Sequence, residues 1–332
     1  MKSILINYEF GISVTAGFDA ICSTDQRNLW CALLVQAIKD ELGMQPLFPQ
    51  DVTAENISSI VCEIHINARK PISSAPLIGL FMETPAVVPQ NNAHSAQAYE
   101  RVISFDHALR HLPNFIKANL PCWSPTFELH KNTARSGYAM IAGNKRLDQS
   151  KVQKDLYAER RRIIKWFAKS RRSDFYLYGK GWNVPPQFLD INPVSKFILR
   201  KKLYRGPKFY YGVSQNKYSD LSFRKFNLCF ENCLYPGYVS EKFFDAIISG
   251  CIPVYWGDGA GALGECKDAY IDAGEFPNIN ALIEFCDRMP QQAVVEMKEK
   301  GLKFLKGLGK NFTHEAYCSV IANTIRDLVV NR

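Results

Sequence analysis

The sequence predicts an α/β protein of two domains, each built on a parallel sheet. At 332 residues the chain exceeds what one hydrophobic core usually supports, so two domains are expected. Short apolar stretches typical of buried strands alternate with helical stretches in two separate runs. Between the runs, residues 112–136 contain prolines and no periodicity, which indicates the connection between the domains.

Each element of the first run follows from its own pattern. Residues 2–9 alternate apolar and polar side chains, as a strand does. Residues 25–42 carry leucine and isoleucine at helical spacing, and Gly43 marks the end of that helix. Further strands are predicted at 59–66, 76–82 and 101–105. Strands and helices in this order favour a parallel sheet.

The second run also alternates strands with helices. The predicted strands lie at 138–142, 175–178, 226–230 and 252–256. The predicted helices lie at 152–169, which is basic, and at 239–249. Thr313 is a good N-cap for a last helix that runs to about residue 329.

Composition narrows the partners and the compartment. The net charge of +9 suggests a nucleotide, an anionic membrane or a nucleic acid, and charge alone does not choose among them. The ten cysteines form no CxxC motif and are expected to be buried and reduced. The N-terminus has no long apolar region, and no stretch reaches the roughly 20 apolar residues that span a bilayer. We therefore expect a cytoplasmic protein.

The segment at 225–257 carries the chemistry, with the sequence KFNLCFENCLYPGYVSEKFFDAIISGCIPVYWG. It predicts a strand, a polar turn, a helix and a second strand, and ligands bind beyond the carboxyl ends of such strands. A helix N-terminus there favours a phosphate, and Lys242 adds a positive charge. Glu241 would accept hydrogen bonds from ribose hydroxyls. A solvated first helical turn explains Glu241 and Lys242 equally well.

This segment closely resembles the signature of the α-1,3/4-fucosyltransferases, glycosyltransferase family 10. In that family a YKFNLCFEN strand precedes GYVTEK and then IPVYWG. The resemblance implies a GT-B fold, with two Rossmann-like domains facing a cleft. It also implies an inverting enzyme that moves L-fucose from GDP-fucose to the 3- or 4-hydroxyl of GlcNAc or Glc in a glycan. The implied domains are 1–125 with the acceptor and base, 126–312 with the donor, and a C-terminal helix at 313–332 that packs back on the first.

The resemblance also implies the donor-binding residues. Tyr238, Glu241 and Lys242 match the family motif, with Lys242 at the pyrophosphate and Glu241 at the ribose. The basic helix LYAERRRIIKWF resembles the one that supplies a diphosphate-binding arginine, which aligns with Arg160 or, alternatively, Arg161. Three further residues after strand ends join the expected donor site: Asn232, Asn144 and Lys145.

The catalytic base is expected in the first domain. Inversion requires a carboxylate that accepts the proton of the acceptor hydroxyl. The family's base lies in a Glu-x-Pro run, and LFMETPAVVPQN matches it with Glu83 after a strand end. The alternative is a loop acid before a proline turn. Asp106 and Glu100 are the next candidates in sequence.

A dinucleotide-binding fingerprint provides an alternative function. After YWG the chain departs from the family pattern, and Gly259, Gly261 and Gly264 form GxGxxG with Glu284 twenty residues beyond. An NAD-dependent oxidoreductase is therefore the second candidate. The residues after Gly264 make a poor amphipathic helix, which argues against it.

The remaining expectations concern nucleic acid, metal and membrane. Basic and aromatic residues interleave at 160–172 and 200–211, so a non-enzymatic nucleic-acid-binding protein is the third candidate. A basic run is more often a solvated face, so no nucleic acid is expected among the partners. His107 and His111 have i,i+4 spacing without the glutamate of HExxH, so no metal and no cofactor beyond the donor is expected. Lysines and apolar residues alternate at 294–312, which suits peripheral attachment to an anionic membrane or a core-packed helix with a lysine face. The expected context is a bacterial enzyme that modifies a lipid-linked glycan or O-antigen.

Overall fold

The computed structural model describes residues 1–8, 28–129, 135–147, 154–183, 206–257 and 262–330. The chain divides into two compact units. Unit 1 comprises Met1–Pro125, Pro236–Glu241 and Leu308–Arg332, and unit 2 comprises Thr126–Tyr235 and Lys242–Gly307. Two segments inside the range 126–312 that was expected to form the second domain, 236–241 and 308–312, therefore pack with unit 1.

The described elements alternate between strands and helices. The strands are β1 Ser3–Asn7, β2 Gln45–Leu47, β3 Ile60–Ile66, β4 Leu77–Phe81, β5 Arg101–Ser104, β6 Phe115–Lys117, β7 Tyr138–Ile141, β8 Phe175–Tyr178, β9 Phe226–Phe230, β10 Ile252–Trp256 and β11 Ile271–Asp272. The α-helices are α1 Leu29–Asp40, α2 Ala93–Ala96, α3 Leu156–Ser170, α4 Lys217–Leu221, α5 Glu241–Ile248, α6 Ile279–Arg288, α7 Gln291–Lys306 and α8 His314–Ile325.

Unit 1 is built on a parallel sheet in the order β2-β1-β3-β4-β5-β6. β1 and most of β3 are buried, which explains their nearly continuous apolar sequences. Helix α8 packs against α1, where the rings of Trp30 and Tyr317 meet edge to face at 5.7 Å. Thr313 caps α8, as its sequence predicts, by accepting a hydrogen bond from the Ala316 N–H at 3.1 Å.

Unit 2 is built on a second parallel sheet, in the order β11-β10-β9-β7-β8. Helix α3 begins at its cap Asp155 and packs its apolar stripe on this sheet, where Phe167 stacks on Phe175 at 4.1 Å. A fully buried stacked pair of this kind fixes the angle of the helix on the sheet.

In both sheets, the side on which successive strands are added reverses at one point. In unit 2, β7 leads to β8 on one side, whereas β9 leads to β10 and β11 on the other. In unit 1, β1 leads to β2, whereas β3 leads to β4, β5 and β6. Ligands of open α/β sheets bind beyond the strand ends at such reversals. The strand ends of β7 and β9 are therefore where a ligand of unit 2 is expected.

Most predicted elements are present within a few residues of their expected bounds. The short strands β2, β6 and β11 were missed, and β6 lies inside the stretch 112–136 that was predicted to lack periodicity. β6 is an edge strand of three residues, none of them fully buried, so it leaves no apolar run in the sequence. The starts of the helices predicted at 25–42 and 152–169 lie partly outside the described residues.

The lysine-rich stretch at 294–312 is mostly a core-packed helix. Val294, Phe304 and Leu305 of α7 are buried, and Gly301 lies so close to Ile247 that an added Cβ would be 3.3 Å from it. The apolar face of α7 is thus used inside unit 2, and membrane attachment stays a prediction. Within the described ranges, every helix is too short or too polar to cross a membrane.

The cysteines behave as the sequence predicts. Nine of the ten are in the described part of the chain, and all nine are buried thiols that form no disulfide there. Burial raises the pKa of the Cys251 thiol to about 12, so this thiol stays protonated at neutral pH.

Candidate functional site

Arg160 closes the gap between β7 and β9 at their carboxyl ends. These two strands pair only at Tyr138–Phe226 and Ala139–Asn227, so the Phe230 carbonyl at the end of β9 has no partner on β7. The Arg160 guanidinium, 1% exposed, donates from Nε and Nη2 to that carbonyl, with Nε at 3.0 Å.

The same guanidinium connects Arg160 to a second expected donor residue. Nη2 donates to Asn232 Oδ1 at 3.2 Å, and the Tyr157 ring lies 4.5 Å from the guanidinium carbon. The structure therefore brings Arg160 and Asn232 together. Arg161, the alternative arginine, instead donates to the Lys145 carbonyl and lies 3.5 Å from the Asp155 carboxylate.

Asn144 follows β7 on the other side of the reversal point. Its N–H and Nδ2 donate to the carbonyls of Lys180 at 2.9 Å and Gly181 at 3.1 Å. Its Oδ1 is buried without a hydrogen-bond partner among the described residues. A bound ligand with an N–H or O–H group at this position would satisfy it. Lys145 is exposed beside it. The two residues therefore lie where the sequence places them, after the strand.

Lys242 forms an ion pair with a buried acid that was expected at a strand end but not among the donor-binding residues. Glu231 follows β9, is fully buried, and lies 3.4 Å from Lys242 Nζ. Tyr255 adds a long hydrogen bond of 3.5 Å to the Glu231 carboxylate. Gly257, the last residue of the YWG run, is required here because an added Cβ would be 2.8 Å from Glu231 Cγ. The signal for Glu231 was its place directly after a buried strand.

A cavity of about 320 Å³ opens in unit 2 where β9 and β10 end. Phe230 and Trp256 line it together with Lys154, whose Nζ lies 4.1 Å from the centre of the Trp256 ring. Aromatic faces beside a cation suit a planar polar ligand. None of these three residues is predicted from the sequence as a site residue. A second cavity of about 290 Å³ lies at the amino end of β10, the opposite edge of the sheet.

Glu83 lies just after β4 in unit 1 and meets Tyr238 there. The Tyr238 hydroxyl donates to Glu83 Oε2 at 3.2 Å, and its ring packs 5.3 Å from Phe105. The turn at 236–238 belongs to unit 1, and its Gly237 has φ +78° with an added Cβ only 3.3 Å from the Phe105 carbonyl oxygen. Tyr238, expected among the donor-binding residues, is thus hydrogen-bonded to the expected base. Glu241 begins α5 three residues later.

Of the other candidate bases, Glu100 lies at the opposite edge of the sheet, whereas Asp106 follows β5, the strand next to β4. Glu100 precedes β5 and accepts from the Leu77 N–H at 2.7 Å, so it lies at the amino edge of the sheet, opposite Glu83. Asp106 caps the short turn at His107–Leu109 by accepting from the Ala108 N–H at 2.8 Å.

A buried polar network in unit 1 was not predicted at all. Glu63 and His65, both fully buried on β3, hydrogen-bond each other at 2.8 Å, and Asn7 at the end of β1 donates to Glu63 at 2.6 Å. Burial acts to raise the pKa of Glu63, but hydrogen bonds from His65, Ile72, Ser73 and Asn7 outweigh it and lower the pKa to about 2. The signal was a Glu and a His two apart in an otherwise apolar strand.

The features expected for the other functions lie only partly within the described residues. Gly259 and Gly261 lie outside the described residues, and Gly264 begins a 3-10 segment rather than an α-helix. Ile163, Ile164 and Phe167 of the basic stretch at 160–172 are buried core residues, and part of the stretch at 200–211 lies outside the described ranges. Within the described ranges, no group of three His, Cys, Asp or Glu side chains is arranged to hold a metal.

One segment of the chain is similar to a known protein family. Residues 205–296 match the model of glycosyltransferase family 10 (fucosyltransferase), C-terminal part. The chain is 41% identical over 71 residues to an α-(1,3)-fucosyltransferase FucT of Helicobacter pylori, and 35% identical over 77 residues to a putative fucosyltransferase of Acanthamoeba polyphaga mimivirus. These alignments cover 21% and 22% of this chain and only 15% and 13% of the two relatives.

The fold is similar to that of solved glycosyltransferases. An α1,3-fucosyltransferase with GDP gives a TM-score of 0.52 at 17% identity, over 99% of this chain and 90% of that one. An α1,3-fucosyltransferase with GDP-fucose gives 0.52 at 16% identity, over 92% and 90%. HepE from Anabaena with UDP-glucose gives 0.56 at 10% identity, over 98% and 100%. The predicted GT-B fold is confirmed, and the predicted resemblance is confirmed for residues 205–296, which match the C-terminal part of glycosyltransferase family 10, the fucosyltransferase family.

Proposed function

We propose that this protein transfers L-fucose from GDP-fucose to the 3- or 4-hydroxyl of a GlcNAc or Glc residue in a glycan acceptor, with inversion at the anomeric carbon. The observation that carries the proposal is the position in the fold of residues 205–296, which match the family 10 model. Within this segment, Glu231 and Asn232 follow β9 beside the reversal point of a parallel sheet, and Lys242 of α5 lies 3.4 Å from Glu231. The solved α1,3-fucosyltransferases that share this fold contain GDP and GDP-fucose.

We assign the donor to unit 2. Leaving GDP carries growing negative charge, which Lys242 and Arg160 are suited to stabilise. Lys242 is oriented by Glu231, and Arg160 is oriented by Phe230 and Asn232, so neither cation needs to reorganise when that charge develops. The cavity beside Trp256 and Lys154 offers a face for the nucleotide base.

We assign the base to Glu83 of unit 1. In a single displacement, the acceptor oxygen forms the new bond to the fucose carbon as the bond to GDP breaks, and the hydroxyl proton passes to the carboxylate. The Tyr238 hydroxyl donates to this carboxylate at 3.2 Å, which stabilises its charged, proton-accepting form.

A donor screen tests the proposed function. We expect transfer and slow donor hydrolysis with GDP-fucose, and neither with GDP-mannose, UDP-sugars or NAD. We also propose that basic side chains replace a metal, so the rate should be the same in EDTA. A preference for another donor would overturn the fucose assignment, and activity lost in EDTA and restored by manganese would overturn the metal-free mechanism.

Lys242→Ala and Arg160→Ala are expected to weaken GDP binding by about 10- to 100-fold, because a hydrogen bond to a charged group contributes about 1.5–3 kcal/mol. Isothermal calorimetry with GDP measures the change. Arg160→Lys is needed beside the alanine variant, because the alanine leaves the Phe230 carbonyl unpaired. Lys169→Ala, which removes an exposed charge near the other end of α3, is the matched control. Parental GDP affinity in Lys242→Ala and Arg160→Ala would contradict the donor assignment.

A further inference from the structure

The backbone just after β3 has an unusual conformation at Asn67. Among the described non-glycine residues, only Asn67 and Arg171 have positive φ, and Asn67 has φ +59°. This left-handed region disfavours most side chains, although asparagine tolerates it better than most. The Asn67 N–H donates to the Leu80 carbonyl at 2.8 Å, which ties the end of β3 to β4. A strained residue next to a candidate base invites a functional explanation.

The side chain of Asn67 binds the backbone that carries Glu83. Its Oδ1 accepts three hydrogen bonds, from the Met82 N–H at 3.0 Å, the Glu83 N–H at 3.2 Å and Asn91 Nδ2 at 2.8 Å. A single amide oxygen therefore holds two successive peptide groups at the end of β4.

Asn91 completes the arrangement from the other side. It is 1% exposed, and its Nδ2 donates to the Glu83 carbonyl at 2.8 Å as well as to Asn67. Its Oδ1 accepts from the Ala68 N–H at 2.9 Å. Both backbone polar groups of Glu83 are thus bound by these two asparagines, which we call the amide bracket.

Further hydrogen bonds anchor the loop that follows Asn67. The loop after Asn67 is anchored by buried Glu63, which accepts from the N–H groups of Ile72 and Ser73 at 2.8–3.1 Å. Tyr99 accepts from the Arg69 N–H at 3.3 Å in the same loop. The bracket therefore connects the backbone of Glu83 to the sheet through residues that are themselves hydrogen-bonded.

We propose that Asn67 and Asn91 are positioning residues for Glu83: the amide bracket fixes its backbone while Tyr238 fixes its carboxylate. This inference rests on the proposed role of Glu83 as the base. Proton transfer requires the carboxylate within hydrogen-bond reach of the acceptor hydroxyl, and a displacement of about 1 Å costs on the order of 10²-fold in rate. The bracket acts on turnover and not on donor binding, because its contacts lie within unit 1.

The direction of the hydrogen bonds provides the sharpest test. Asn67 acts through an acceptor oxygen, so Asn67→Asp keeps its function, whereas Asn67→Gly keeps the positive φ but loses the acceptor. Asn91 acts through donors, so Asn91→Asp, of the same size, loses them. We expect kcat to fall about 10²-fold in Asn67→Gly and in Asn91→Asp and to stay near parental in Asn67→Asp, with the Kd for GDP unchanged in all three.

A double substitution separates positioning from structural support. If Asn67 acts through Glu83, Asn67→Gly should cause no further loss of kcat in a Glu83→Gln background. A residue that only supports the fold would lower kcat equally in both backgrounds. Equal loss in the two aspartate variants, or parental kcat in Asn67→Gly, would overturn the inference. Failure of the Glu83 assignment has a different signature, namely an active Glu83→Gln enzyme, which also overturns the inference. Failure of the proposed function is read separately, from the donor screen. If Asn67→Gly does not fold, the aspartate pair decides.

Discussion

Glu83→Gln is expected to lower kcat by about 10²–10⁴-fold while leaving the Kd for GDP unchanged. Glutamine keeps the size of the side chain and an oxygen that accepts from Tyr238, but it cannot take the proton of the acceptor hydroxyl. Initial rates at saturating acceptor measure the change. The acidic limb of the parental pH–rate profile, which reports the carboxylate, should be absent from the residual activity of the variant.

Glu100→Gln is the matched control for this experiment. It makes the same chemical change on the same sheet, but Glu100 lies at the amino edge, where it accepts from the Leu77 N–H. Its kcat per folded molecule should stay near parental. Near-parental transfer by Glu83→Gln would contradict the assignment, and Asp106, after the neighbouring strand, would then be the acid to replace.

Glu63→Gln is expected to lower the free energy of unfolding by about 3 kcal/mol at neutral pH. The pKa of Glu63 is lowered from 4.5 to about 2, and each unit corresponds to about 1.36 kcal/mol. Because the pKa is depressed in the folded state, this stability is present above pH 4.5 and is lost as the pH falls from 4.5 towards 2. Urea unfolding from pH 7 to pH 3 should show a steep loss in the parent and a flatter one in the variant.

Glu55→Gln provides the comparison for that measurement, since Glu55 is an exposed acid of unit 1. It should leave both the stability at neutral pH and its decline in acid as in the parent. The same acid dependence in the parent and in Glu63→Gln would show that the buried network is not what stabilises unit 1 at neutral pH.

The sequence predicts the parallel strands well because strands buried on both faces are continuous apolar runs. β9 and β10 were predicted at the bounds that the structure has. The burial of Arg160 rather than Arg161 was also within reach, because Arg160 shares a helical stripe with Ile163, Ile164 and Phe167. An arginine on an apolar stripe must find partners in the interior, and Arg160 finds Phe230 and Asn232.

Contacts between distant parts of the chain were beyond the sequence. Tyr238 and Glu83 are 155 residues apart, and no local pattern tells that the turn at 236–238 packs in unit 1. The Glu63–His65 pair stood out as polar residues in an apolar strand, but its partner Asn7 is 56 residues away from Glu63. Local patterns define elements, and the pairing of side chains at sheet ends depends on the tertiary fold.

The return of residues 236–241 to unit 1 limits how this chain can be recombined with its relatives. A chimera joined once near Pro125 would take Tyr238 from one parent and Glu83, Phe105 and the amide bracket from the other. The phenol, its aromatic neighbour and the carboxylate would then come from proteins in which they were never selected together. Two further junctions, one on each side of Pro236–Glu241, and another near Leu308 would take each packed unit from a single parent. Segments that pack together in this protein, rather than segments that are continuous in the chain, should therefore be exchanged as one block.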